Sequence, residues 1–144
     1  VPKNLMSLSA VALSTLFLAT AGAANAEECV TGARAMVSWA TQSNIPTLAP
    51  TYGAATMVTS ATKNGYRVDN NPAGCSDSKP CLLIYPKTYG NSINTTYGHV
   101  AVLYSKTSNN RYNIADSNGI CGGDRKRCTT SPNFSKALVI HPKN

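Results

Sequence analysis

Tyr97-Gly98-His99-Val100-Ala101-Val102-Leu103-Tyr104 is the stretch on which the fold turns. From Gly98 to Tyr104 it is β-branched and aromatic, with a glycine before it and Ser105 after it, so it reads as a strand. Asn109-Asn110 suits a hairpin turn, and Arg111 to Ala115 then forms the returning strand. Cys81 to Tyr85 upstream and Ala137 to Ile140 downstream are two more short apolar runs bounded by Gly, Asn, Ser or Pro. Strands joined by hairpins need no crossover helix, so the sheet is expected to be antiparallel.

Towards the N-terminus the period changes. Cys29, Ala33, Met36, Val37 and Ala40 recur at helical spacing, and Glu27 and Glu28 in front suit the positive end of a helix dipole. Asn44-Ile45-Pro46 ends this helix and opens a loop through Pro50. A second helix is expected from about Ala54 to Thr62, stopped by Asn64-Gly65 acting as a left-handed cap. Helices first and consecutive strands afterwards indicate an α+β fold, with N-terminal helices packed on an antiparallel β-sheet.

The first 26 residues read differently. Lys3 is followed by an apolar run from Leu5 to Ala19, then by Ala21-Gly22-Ala23-Ala24-Asn25-Ala26. A weakly cationic start, a short apolar core and an Ala-x-Ala end describe a secretory signal peptide over residues 1–26. The run is short of the roughly 20 residues a membrane span needs, so no stable anchor is expected after cleavage. Residues 27–144 then form a single domain that keeps 12 of the 13 Lys and Arg and all six acids, a net charge of +6. A basic balance suits an anionic partner, and export makes a cell wall a better fit than nucleic acid. The run Arg125-Lys126-Arg127 reads as a solvated loop.

Five cysteines follow the leader: Cys29, Cys75, Cys81, Cys121 and Cys128. In an exported chain disulfides are expected. Cys75 and Cys81 flank one short loop and Cys121 and Cys128 another, although four cysteines allow three connectivities. No spacing is the Cys-x-x-Cys of a zinc ribbon or a redox motif, so no metal or cofactor is called for. Cys29 is left over, at the start of a helix. An intermolecular disulfide and a buried apolar thiol compete with a nucleophile for its role. Lipidation does not, because Glu28 stands where a small residue would be needed.

Of the two histidines, His141 lies near the C-terminus, before Pro142, and reads as an exposed tail residue. His99 begins the central strand directly after Gly98, and alternation puts it on one face with Ala101 and Leu103. A thiol at a helix N-terminus has its anion favoured by the dipole and by a neighbouring imidazolium, and the backbone N–H groups there suit a developing oxyanion. The imidazole needs an orienting acceptor. Asp116 and Asn118, in Ile114-Ala115-Asp116-Ser117-Asn118-Gly119, follow the next strand and supply two candidates.

The ordered set of Cys29, Gly65-Tyr66-Arg67-Val68 with Pro72, Gly98-His99-Val100-Ala101-Val102 and Asp116-x-Asn118 resembles the CHAP domain. This is the cysteine, histidine-dependent amidohydrolase/peptidase family, related to the papain-like NlpC/P60 group. The resemblance spans nearly all of residues 29–120. It implies a cysteine heading a helix packed on the sheet, a histidine beginning a strand, and an acid or amide on the next strand. It also implies peptidoglycan as the partner, cut at the muramoyl–alanine amide or within the stem peptide and cross-bridge, in the periplasm or outside the cell. This chain has Val30-Thr31-Gly32 where family members often carry an aromatic residue, and Asp116 where Glu is common. The expected catalytic set is therefore Cys29, His99, Asp116 and Asn118, with Asp116 orienting His99 and Asn118 as a helper. The rivals are a non-enzymatic secreted binder or inhibitor that keeps the fold, and zinc held by Cys29, His99 and Asp116, which lacks a fourth ligand.

Overall fold

Alternation along the central strands gives the molecule two apolar layers, one on each face of a six-stranded sheet. The fold is seen in a computed structural model that describes residues 28–42, 45, 55–87 and 97–144. The expected leader 1–26, Glu27, Asn44, Pro46 to Pro50 and Ala54 lie outside the described residues. The helices are α1 (Cys29–Met36), α2 (Ser38–Gln42) and α3 (Ala55–Lys63). The strands are β1 (Val68–Asp69), β2 (Cys81–Tyr85), β3 (His99–Ser108), β4 (Arg111–Asp116), β5 (Lys126–Thr130) and β6 (Leu138–Ile140). Their order across the sheet is β1-β6-β2-β3-β4-β5, and every neighbouring pair is antiparallel. The α+β architecture with helices on an antiparallel sheet is the one the sequence predicts.

Leu82 and Ile84 of β2 and Val100, Val102 and Tyr104 of β3 face the helices, where they pack with Val30, Ala33, Val37, Met57 and Ala61. Leu83, Tyr85, Ala101 and Leu103 face the other way, with Ile114, Ala137 and Val139, under Tyr112, Phe134 and the sulfurs of both disulfides. Strand β2 is buried along its whole length because both faces are covered. No helix among the described residues is long and apolar enough to cross a membrane.

Several expectations are corrected in detail. The helix from Cys29 to Ala40 is broken at Val37, which adopts φ −125° and ψ 100° and separates α1 from α2. The apolar period survives the break because Val37 and Ala40 both remain in the core. The turn also aims Trp39, whose Nε1 donates to the Pro80 carbonyl at 2.8 Å. Asn64-Gly65 does cap α3: Gly65 sits at φ +79°, its N–H reaches Thr62 O, and Tyr66 N–H reaches Ala61 O. Strand β3 runs four residues past Tyr104, into a solvent-exposed hairpin where hydrogen bonding continues after the apolar alternation has stopped.

Arg125-Lys126-Arg127 is not simply a loop. Lys126 and Arg127 open β5, and the Arg127 guanidinium lies 4.0 Å over the Tyr104 ring, so the strand is held by ladder bonds and a cation–π contact rather than by apolar burial. His141 is not an exposed tail residue. It is 6% exposed, fixed by its N–H to Arg67 O as the chain leaves β6 beside β1. The disulfides are Cys75–Cys81 and Cys121–Cys128, and Cys29 is free.

Candidate active site

Strands β3 and β4 are antiparallel, so the start of one and the end of the other lie together. Val102 pairs with Ala115 and Leu103 with Ile114. Carried on by one residue, that register sets Asp116 opposite Ala101, which makes it the diagonal neighbour of His99 on the same face. The side chains meet: His99 Nε2 is 2.7 Å from Asp116 Oδ2, with side-chain exposures of 2% and 0%.

The Asp116 carboxylate is held by the loop that follows it. Oδ2 accepts the Ile120 N–H at 2.6 Å and Oδ1 accepts the Cys121 N–H at 3.0 Å. These bonds and the imidazole together hold its carboxyl below the usual carboxylate range, although burial pulls the other way. The loop is braced in turn by Asn118 N–H to Gly123 O, by Arg125 N–H to Ser117 Oγ, and by the disulfide from Cys121 to Cys128 in β5. That disulfide thus anchors a backbone N–H that holds the Asp116 carboxylate.

Cys29 begins α1, and α1 packs across β3 and β4. The first intrahelical bond is Gly32 N–H to Glu28 O, so the N–H groups of the first turn have no intrahelical acceptor. The free thiol is half-buried and interacts with His99. Burial disfavours the charged imidazolium, but hydrogen bonds with Asp116 and Cys29 and their negative charge outweigh it, and the ring is pushed up to about 9. Because Nε2 is engaged by Asp116, Nδ1 is the nitrogen left to serve the thiol. A thiol, an imidazole and a carboxylate are thereby drawn from three separate elements, the start of α1, the start of β3 and the end of β4.

Three of the four expected residues come together. Asn118 is placed apart: it is exposed, in the left-handed region at φ +56°, and among the described residues its side chain makes no hydrogen bond to His99 or Asp116. Cys29, His99 and Asp116 do not form a three-ligand metal cluster; among the described residues the one such group is Cys75, Cys81 and His141.

Two contributors escaped the sequence reading. A Cβ on Gly119 would lie 2.3 Å from His99 Cε1, 2.4 Å from Nε2 and 2.7 Å from Asp116 Oδ2, so this glycine is the close wall of the pair. Its signal, the Asn118-Gly119 dipeptide, is legible as a turn but not as contact with a ring across the sheet. Tyr85 pairs with His99 in register and stacks on it, with centroids 6.5 Å apart. Burial and the Asp116 charge push its phenol up to about 12, so it stays neutral.

No protein-family model and no curated protein matches the sequence. Solved structures do share the fold. A crystal structure of N-acetylmuramoyl-L-alanine amidase from Staphylococcus aureus matches 81% of this chain at 18% identity, with a TM-score of 0.53, over 30% of that chain. The crystal structure of Ly7917 matches 80% of this chain at 20% identity, with a TM-score of 0.51, over 55% of that chain. The likeness is one of fold, and this chain spans about a third to just over half the length of these neighbours.

Proposed function

We propose that this chain is an exported cysteine hydrolase that cleaves amide bonds of peptidoglycan, either at the N-acetylmuramoyl–L-alanine link or within the stem peptide or cross-bridge. The observation that carries the proposal is the buried His99–Asp116 pair set against a free thiol on the first turn of a helix. His99 takes the Cys29 proton, and the thiolate attacks the amide carbonyl. The N–H groups of the first turn of α1 stabilise the oxyanion. The imidazolium then protonates the leaving amine, and water assisted by His99 hydrolyses the thioester. Asp116 holds the ring in the tautomer this sequence requires. Asn118 shapes the loop through its left-handed backbone.

The resemblance of the ordered residues to CHAP domains supports the substrate class, as does a fold shared with an amidase acting on an N-acetylmuramoyl-L-alanine bond. Two disulfides and a basic surface suit an anionic wall outside the cytoplasm, reached through the leader at residues 1–26. Digestion of purified sacculi, with mass analysis of the fragments, tests the proposal. New amino groups and defined muropeptides are expected from the wild type and none from Cys29→Ala. A protein that binds sacculi yet releases nothing is a binder, and the proposal fails.

A further inference from the structure

A second cluster of titratable and sulfur groups lies at the other end of β2, where Cys81 begins the strand. His141 Nδ1 is 3.6 Å from Cys81 Sγ and 3.9 Å from Cys75 Sγ. Its Nε2 is 2.9 Å from Asp69 Oδ1, and Arg67 Nε donates to the other oxygen of that carboxylate at 2.8 Å. We propose that Cys75, Cys81 and His141 form a zinc site when the Cys75–Cys81 disulfide is reduced, with Nδ1 of His141 as the nitrogen ligand and Asp69 holding the opposite side of its ring.

Distances favour this set. The three ligand atoms lie within 4.8 Å of one another. Zinc at ~2.3 Å from sulfur and ~2.05 Å from nitrogen in a tetrahedron requires N···S separations of about 3.5 Å. Both N···S separations already stand near that value, and only the two sulfurs must part, to about 3.8 Å on the same geometry. One of the two tautomers open to His141 suits the ion. Nε2–H donating to Asp69 leaves the Nδ1 lone pair facing the sulfurs, the arrangement in which a carboxylate orients a zinc-bound histidine. Arg67 Nη2, which lies 3.0 Å from Nε2, has the Ala73 carbonyl as an acceptor of its own.

Preorganisation and access are both present. His141 is buried and tied by its backbone N–H to Arg67 O, whereas Cys75 sits on an exposed loop between Pro72 and Pro80 through which an ion can enter. Three protein ligands leave the fourth tetrahedral position to solvent. The chemistry balances with a dithiol reductant: its two thiols become a disulfide, and Cys75 and Cys81 each gain a hydrogen. Zn²⁺ then displaces both thiol protons, two Zn–S bonds and one Zn–N bond form, and two protons are released. The site uses neither Cys29 nor His99, so it stands apart from the proposed hydrolase chemistry.

The test begins with wild-type protein reduced by a dithiol under native conditions, then alkylated with and without equimolar zinc and mapped peptide by peptide. Zinc should slow alkylation of Cys75 and Cys81 by about tenfold or more and leave Cys29, Cys121 and Cys128 unprotected, as expected if coordinated thiolates are withdrawn from reaction. A Cys29→Ala/Cys121→Ala/Cys128→Ala variant should bind one cobalt(II) with thiolate-to-cobalt absorption when reduced, and none when oxidised. His141→Ala added to it should weaken binding by about tenfold or more, and Asp69→Asn by about tenfold. Four results would overturn the site: protection of no thiol, equal protection of all, cobalt binding unchanged by His141→Ala, or a Cys75–Cys81 bond that stays closed after Cys121–Cys128 has opened. If the triple variant does not fold, the wild-type map decides.

Discussion

Two histidine–aspartate pairs lie at opposite ends of the same central strand, and they differ in what surrounds them. His99 and Asp116 meet at 2.7 Å with both side chains sealed from solvent, two backbone N–H groups on the carboxylate and a free thiol beside the ring. His141 and Asp69 meet at 2.9 Å, but Asp69 is 34% exposed and shared with Arg67, and the neighbouring sulfurs are joined to each other. Under the proposed function, the pair itself is therefore not what distinguishes the reactive site; the free thiol beside it is. A buried, fully bonded acid raises the basicity of its imidazole, and a free thiol gives that basicity a proton to move. Where the sulfur is oxidised, the same pair is a structural clamp.

The largest expected contrast lies in turnover. Cys29→Ala and His99→Ala should each reduce amino-group release from sacculi by about 10³-fold or more, while the loss from His141→Ala, per folded molecule, should be at least about 100-fold smaller. Comparable losses at the two histidines would erase the distinction between the pairs.

Next in size comes Asp116→Asn, expected to lower turnover by about 10²- to 10⁴-fold because the tautomer is no longer fixed. Asn118→Ala should be far milder, and the reverse order would exchange their roles. The same substitution sharpens the pH dependence. His99 has its ring raised to about 9 in the fold, so its contribution to stability is fully present below its ordinary value of 6.5 and is lost as pH rises through about 9. Asp116 is lowered, so its contribution is present above the ordinary carboxylate range and is lost as acid protonates it. Wild-type activity should thus show an alkaline limb near pH 9. In Asp116→Asn that limb should move towards the ordinary histidine value, read from kcat/KM against pH.

Gly119→Ala should come third. A methyl group cannot sit 2.3 Å from the imidazole, so ring or loop must shift, with turnover down about 10- to 100-fold and stability down ~1–3 kcal/mol in chemical denaturation. At the second pair, His141→Ala should appear mainly in unfolding, as a loss of ~1–3 kcal/mol from a buried hydrogen-bonded group. Arg67→Ala is the smallest, below ~1 kcal/mol, because its ion pair with Asp69 is open to solvent.

The amino-acid sequence by itself determined the α+β class, the four apolar strands, the cap at Asn64-Gly65 and the singling out of Cys29 and His99. Each rests on local spacing or on counting: periods of about 3.6 and 2 set elements, and two short cysteine-flanked loops leave one thiol over. Strands β1 and β5 were not legible, because Val68–Asp69 is two residues long and Lys126–Thr130 is polar, so their backbone bonds leave no apolar pattern. The sequence favoured Asp116 over Asn118 as neighbour of the ring, but only the tertiary structure shows that Asn118 has no part in that contact. Both follow β4 and both are chemically able, but the antiparallel register puts the first diagonally beside His99 while the left-handed turn carries the second to the surface. It also decided that His141, three residues from the last, is buried: β6 inserts between β1 and β2, and a histidine at its end is drawn under the Cys75–Cys81 loop. Non-local pairing sets such contacts, and no short window of sequence contains both partners.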